Sequence, residues 1–545
     1  MIRVSFLSAI GINAPFPWTL QRYIFREMGK TFLLAAIALT GVLGLGGGVM
    51  EMIELGEVTP GQLVRLLGLV LPVAAALTLP IAALFSAAAT YGRLSADNEF
   101  VACRSSGINL HILFLPSLAL SLASAVVTFC FINFLIPGMV RSLNEFVSAD
   151  LGALIQQRLN RPRGITLGGR YRIYADDSVI DRNEPDRVLL RGIAFVEVDG
   201  EEWVRYGTAK EFDARFERTE SRTRVSAVLR GLSFYDRRQG RFVDLAEQVL
   251  PSNDLPHLVP QEIKFLNLSE LLHYWRHPGT WREVQDAMER LRIRVGTTQA
   301  IDALLANRDK DGTITLADDN TRYTIRSKSA LRIPRGGGIE LTDVSITTTR
   351  GGRPITYKAE RAVIDTTRGD TLRDCALRLQ AYGVESRDGD ALVHQTKVSL
   401  TPVAMSASLI GRVEGYSDEQ LLAPQPEEQA EGDGTGGELA DAREVRSSTV
   451  RKIVATVHER MAFSVSVLAL VLLGAALGIV FRGSHTIVAF GVSFVPSLVV
   501  IVAIVMGKQM AQNESTHLVG LSVMWLGIAF VVALDFWTLT RVLRR

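Results

Sequence analysis

Cysteine is scarce in these 545 residues: Cys103, Cys130 and Cys375 are far apart and odd in number. That excludes a disulfide framework and a cysteine-based zinc cluster. An excess of one charge is also missing. Lys and Arg total 59 against 57 Asp and Glu, a net charge of +2, and no Lys/Arg run is long enough to hold nucleic acid by bulk charge. No G-x-x-x-x-G-K-[ST] phosphate loop occurs, so the chain has no evident means of hydrolysing ATP. H-E-x-x-H, G-x-S-x-G and C-x-x-C are missing as well. The eight histidines are scattered, and His111, His458, His485 and His517 sit at the ends of apolar runs, where a polar ring is comfortable. Nothing in the sequence asks for a metal or a cofactor.

Long apolar runs are what the chain does have. Thr31 to Met50, Leu66 to Thr90 and Ile112 to Val140 contain no Asp, Glu, Lys or Arg, and Met461 to Phe481, Ile487 to Gly507 and Leu518 to Leu534 follow a charged middle. A helix needs about 20 apolar residues to cross a bilayer, so a wholly soluble enzyme is excluded. The fold class expected is an α-helical membrane protein with six transmembrane helices, three on each side of a large β-rich insert. Its expected parts are an N-terminal segment (1–30), spans one to three (31–140) with a short helix at 95–107, a β insert (141–416) carrying a helical insertion (268–307), an acidic linker (417–450) and spans four to six (451–545).

The first run is preceded by some thirty residues and lacks a small-x-small cleavage pattern, so it reads as a span and not as a signal peptide. Met1 to Pro17 is weakly apolar and broken by Pro15 and Pro17. Thr19 to Lys30 places Leu20, Tyr23, Ile24 and Met28 on one helical face and Arg22, Arg26 and Lys30 off it, which reads as an interfacial helix. Those cations, with Arg93, Arg104, Arg482, Arg541, Arg544 and Arg545, mark the cytoplasmic flanks. The opposite short loops are poor in Lys and Arg, which puts the insert outside.

Within the insert, Tyr171 to Tyr174, Val188 to Val198, Arg224 to Tyr235 and Ser345 to Thr349 are rich in β-formers and stand between turn signals such as Asp199-Gly200, Gln239-Gly240 and Gly351-Gly352. Sandwich or jelly-roll packing is the expected class. Gly192-Ile193-Ala194-Phe195, followed by Val204 to Lys210, echoes Asp343-Val344-Ser345-Ile346, followed by Ile355 to Glu360, as two duplicated β units would. Leu268 to Asn307 reads as one or two helices broken at Pro278-Gly279. Ser417 to Glu444 holds nine Asp or Glu, one Arg and two Pro, and reads as a disordered linker.

The loop from Tyr91 to Ile108 is the most informative segment. Ser95 can cap a helix with Asp97 and Glu99 in its first turn, and Gly107 can end it. Such a helix is either a solvated connector or a docking helix, with Phe100 filling a groove on a soluble partner and Glu99 meeting a basic residue there.

The Leu71-Pro72 and Leu79-Pro80 pairs, the loop Gly92-Arg93-Leu94-Ser95-Ala96-Asp97-Asn98-Glu99 continuing to Arg104-Ser105-Ser106-Gly107-Ile108, Asn133 and Pro137, and Arg460 together resemble the LptF/LptG (YjgP/YjgQ) permease family of the lipopolysaccharide-exporting ABC transporter. The resemblance covers both membrane halves, about residues 19–145 and 450–545, and is topological over the insert. It implies a permease without enzymatic activity, sitting in the bacterial inner membrane with a periplasmic β jelly-roll-like domain. It implies pairing with a second LptF/LptG-type permease, a separate LptB-like ABC ATPase on the cytoplasmic loop, and LptC/LptA-like periplasmic bridge proteins that receive lipopolysaccharide. Glu99 stands at the family's coupling glutamate, with Arg93, Asp97, Phe100, Arg104 and Gly107 as further coupling candidates. Where the family has basic residues at the outer end of span one, this chain has Glu51 and Glu54, which leaves Arg65, Arg460 and Lys508 as candidate lipid-phosphate ligands. The other readings are a permease of another lipid or lipoprotein ABC exporter, and a non-transporting membrane scaffold. Lipoprotein-releasing exporters usually have four spans with the large domain after the first, against three plus three here.

Overall fold

In the computed structural model, six helices among the described residues are long and apolar enough to cross a membrane, three before and three after a β-rich insert. The structure describes residues 17–544 except 56–59, 150–164, 168–170, 181–186, 200–201, 220–221, 238–239, 256–261, 318–321, 334–337, 351–352, 368, 370, 389–390, 424–434 and 482–485. The opening segment, Arg482, His485 and the turn residues Gly200, Gln239 and Gly351-Gly352 lie outside the described residues. The chain divides into two compact units, Met1–Leu268 with Phe463–Val499 and Phe530–Arg545, and Ser269–Ala462 with Val500–Ala529.

In the first unit, span one is a single helix from Trp18–Leu55, so the amphipathic segment at 19–30 continues into it without a break. Span two, Pro60–Ala96, begins on a proline, as the first helical position allows, and holds Pro72 and Pro80 inside. Span three is Leu115–Cys130, a π-helical turn at Phe131–Leu135 around the buried Asn133, and Ile136–Ala149. Without water to pair polar groups, helices in lipid associate through small residues and short hydrogen bonds. Here the Thr40 and Thr78 hydroxyls meet at 2.7 Å, the Ser86 hydroxyl donates to the Met28 carbonyl at 2.6 Å, and the Gln21 amide donates to the Ile112 carbonyl at 2.7 Å. Ile24, Met28, Tyr91, Leu113, Val467 and Val471 form one buried core.

The same unit holds a six-stranded antiparallel sheet: β1 (Ile165–Leu167), β2 (Tyr171–Ile180), β3 (Arg187–Asp199), β4 (Glu202–Thr219), β5 (Arg222–Asp236) and β6 (Arg241–Leu255). Arg187 donates to both Asp213 oxygens across β3 and β4, at 2.8 and 2.7 Å, and this pairing holds the Asp213 carboxyl below its ordinary range.

The second unit holds the helices Leu268–Arg276 and Arg282–Ala306, separated at Pro278–Thr280 as the sequence leads one to expect. After them comes a second antiparallel sheet of β7 (Thr313–Ala317), β8 (Arg322–Ile333), β9 (Gly338–Arg350), β10 (Arg353–Thr366), β11 (Ala376–Asp388) and β12 (Ala391–Ser399), with β13 (Val403–Ala404) paired to β11. From β1 to β6 and from β7 to β12, neighbours in space are neighbours in sequence, so each run is a meander, and β13 beside β11 is the one non-consecutive pair among the described strands.

The linker expectation is corrected. Ser417 caps a short helix, Asp418–Leu421, through a capping box with Gln420. From Thr435 the chain is one helix through span four to Val480, and residues 424–434 lie outside the described part. Three of the acidic side chains among the described residues have partners: Asp441 lies 2.9 Å from Arg290, Asp418 lies 3.8 Å from Arg292, and Glu444 lies 2.7 Å from Arg451. Leu421, Leu439 and Ala442 are buried alongside them.

Candidate docking site between spans two and three

The span-two helix ends at Ala96, and the loop is built from there. Asp97 N–H bonds the Arg93 carbonyl at 2.9 Å and Asn98 N–H bonds the Ser95 carbonyl at 3.2 Å. Asn98 takes a left-handed conformation, φ 59°, which asparagine tolerates better than most residues. Its carbonyl accepts from Ala102 N–H at 3.1 Å, opening the short helix Glu99–Ser105. The far end closes as a left-handed cap: Gly107 has φ 80°, and Ile108 N–H reaches back to the Cys103 carbonyl at 3.1 Å.

Two local expectations are corrected. Ser95 is not the cap of this helix. It belongs to the last turn of span two, and its hydroxyl donates to the Ile479 carbonyl of span four at 3.3 Å. Phe100 is not free to fill a partner's groove. It is 8% exposed and stacks on Tyr91 at 5.8 Å between ring centroids. Tyr91 stacks in turn on Phe114 at 5.6 Å and donates its hydroxyl to the Leu113 carbonyl at 2.6 Å. Burying that aromatic surface in the chain's own core outweighs holding it for a partner. The exposed apolar residues of the helix are Val101 and Ala102.

The loop is therefore fastened at its base by three elements. Span one contributes Glu27, whose carboxylate lies 3.0 Å from Arg93. Span three contributes the Tyr91 and Phe100 aromatic stack through Phe114, and span four contributes Ile479 and Gly478. A side chain at Gly478 would stand 3.0 Å from Gly92 N and 2.7 Å from the Ala88 carbonyl, so the two helices cross with their backbones nearly touching. Outward, Asp97, Asn98, Val101, Ala102, Ser105 and Ser106 are exposed, with Glu99 partly so. Among the described side chains the result is a small polar face on a rigid base, with Asp97 and Glu99 as its acidic residues and Val101 and Ala102 as its apolar ones. Arg104 lies on the helix, and its side chain is outside the described residues.

Sequence reasoning missed Glu27 and the Gly474/Gly478 pair. The second had a legible signal, the G-x-x-x-G spacing inside an apolar run. The first had none, since an ion pair between distant segments leaves no local pattern.

Two of the three lipid-phosphate candidates have described side chains. Lys508 lies 2.6 Å from Glu459, which already balances its charge. Arg460 is 4% exposed, inside the helix packing. Arg65 sits near the start of span two, and its side chain is outside the described residues.

Gly107→Val should cost about 1–2 kcal/mol, because a β-branched residue is strained at positive φ. Amide hydrogen exchange over Phe100–Ser106 should then speed up roughly ten-fold, the equivalent of about 1.4 kcal/mol. Unchanged protection there would show that the cap does not hold the helix.

A family model described as "Lipopolysaccharide export system permease LptF/LptG" matches residues 22–276 and 297–541. No curated protein matches the chain.

Proposed function

The chain belongs to the LptF/LptG family of lipopolysaccharide export permeases, and from that premise we propose that it is the transmembrane subunit of an ATP-driven machine that lifts lipopolysaccharide out of the inner membrane and hands it to a periplasmic bridge. The observation that carries this reading is the fastened helix Glu99–Ser105, held from behind by spans one, three and four while its acidic and apolar face stays open. A surface that only connected two spans would need no such bracing.

A separate cytoplasmic ABC ATPase docks on that face, with Glu99 and Asp97 meeting basic residues and Val101 entering an apolar recess. Because Phe100 and Tyr91 stack on Phe114, and Ser95 and Gly92 sit against Ile479 and Gly478, a push on the helix moves the ends of spans two, three and four together. The chain pairs with a second permease of the same family, and lipid enters between them. Arg65 is the cation to test first against a lipid phosphate, since Lys508 and Arg460 are otherwise engaged. The Lys/Arg bias of the short flanks supports an inner-membrane orientation with the insert in the periplasm.

Affinity purification of the detergent-solubilised chain, with mass spectrometry of proteins and lipids, tests the reading. An ABC ATPase, a second family permease and lipopolysaccharide should come with it. Recovery of the chain with none of them would replace the exporter reading by that of a scaffold.

A further inference from the structure

Span one is tied to the docking loop on both sides of the short helix Glu99–Ser105, each time by a polar group. Before that helix, Arg93 lies 3.0 Å from one carboxylate oxygen of Glu27, and the other oxygen lies 3.3 Å from Lys30, one turn along span one. After it, the Gln21 amide donates to the Ile112 carbonyl at 2.7 Å. Between these two ties, Ile24 and Met28 of span one share a buried core with Tyr91, Leu94 and Phe100. Gln21, Ile24 and Met28 recur at three- and four-residue steps, so they occupy one face of the helix, with Glu27 at its margin.

Along the rest of span one a single side is covered. Ala36 packs with Leu79 and Ala82 of span two, and the Thr40 hydroxyl meets that of Thr78. Leu33, Leu34, Ile37 and Val42 are exposed, as side chains turned to lipid are. Small residues at a helix seam bring the backbones close, and packed helices of this kind move by small sliding steps. What happens at the inner end of span one is therefore carried along the helix to the side that faces lipid.

We propose that Glu27 is a positioning residue of the transport cycle, one that makes span one move with the docking loop when the ATPase displaces it. The proposal rests on the export reading above. Arg93 is in the last turn of span two, six residues before Glu99, so a displaced loop moves its guanidinium directly. The apolar core around Phe100 holds the two elements together without fixing a direction. The ion pair fixes one, because Lys30 occupies one oxygen of Glu27 and leaves the other to Arg93. With Arg93 half exposed, the pair adds little to folding stability, and its removal leaves the buried core to hold the fold.

The test takes the full chain with the ATPase and second permease that purify with it, reconstituted in liposomes containing lipopolysaccharide, and measures lipid handed to the periplasmic bridge protein per ATP hydrolysed. Glu27→Gln should lower that ratio by about five-fold or more, the low end of coupling between distinct sites. Arg93→Gln should lower it to the same extent and the double variant no further, because residues acting through one contact are not additive. Glu27→Asp, which keeps the charge, should recover part of the ratio. An unchanged ratio in Glu27→Gln would overturn the proposal, and so would single effects that multiply in the double variant, or loss of the ATPase from Glu27→Gln. A wild-type complex that hydrolyses ATP and hands over no lipid would overturn the export reading as well.

Discussion

Glu99→Lys should release the ATPase and stop export while the chain stays folded in the membrane. Glu99 is the first residue of its short helix, where a carboxylate is favoured by the helix dipole. Losing that contribution costs the helix about 0.3–1 kcal/mol, which the burial of Phe100 against Tyr91 can absorb. At the docking surface the change is of another order. A reversed charge set against a basic partner costs several kcal/mol, and every 1.4 kcal/mol is about ten-fold in affinity. Co-purified ATPase should therefore fall by about 100-fold or more, with membrane-fraction yield and thermal unfolding close to wild type. Undiminished ATPase recovery from the variant would remove Glu99 from the docking surface. A variant lost from the membrane fraction would show instead that the helix cannot spare its carboxylate.

The spans were legible because a bilayer demands long apolar runs and the six in this sequence have no soluble explanation. Their ends were less so. Span four begins at Thr435, far before its apolar part, where Leu439 and Ala442 are buried and the half-exposed Asp441 and Glu444 lie beside Arg290 and Arg451. Strands rich in Val, Ile, Phe and Tyr, such as β3 and β5, stand out. β4 does not, since Arg205, Lys210, Glu211 and Arg215 leave it without a clean alternation until its neighbours pair on both sides. Left-handed residues in mid-strand, such as Gly192 and Gly231, hide the pattern further, because each moves the apolar positions to the opposite parity. At the docking loop, the helix and its Gly107 terminator could be read locally. The burial of Phe100 could not, as it depends on Tyr91 and Phe114 arriving from either side.

The other large effect is expected at Gly478, whose replacement by Leu should prevent spans two and four from packing. A Cβ there stands 2.7 Å from the Ala88 carbonyl, and one at Gly474 stands 2.7 Å from the Leu84 carbonyl. In both cases the obstacle is helix backbone, which has no rotamer to change. The helices must move apart, and a gap of about 0.5–1 Å already forfeits a quarter to a half of each dispersion contact along the seam. Within lipid little else draws helices together. The cost should exceed the usual range of about 1–3 kcal/mol for overpacking, because the seam also carries the Ser95 bond to Ile479 and the base of the docking loop. Gly478→Leu should appear as a marked drop in thermal unfolding temperature and in monodisperse yield from detergent, with ATPase recovery lost as a consequence. Gly41→Leu in span one, where a Cβ meets nothing within 4 Å in this chain, should leave stability near wild type. A Gly478→Leu protein as stable as Gly41→Leu would mean that the two helices do not cross this closely. Comparison with Glu99→Lys then separates two ways of losing the ATPase, since that variant removes the contact from an intact surface and Gly478→Leu removes the surface.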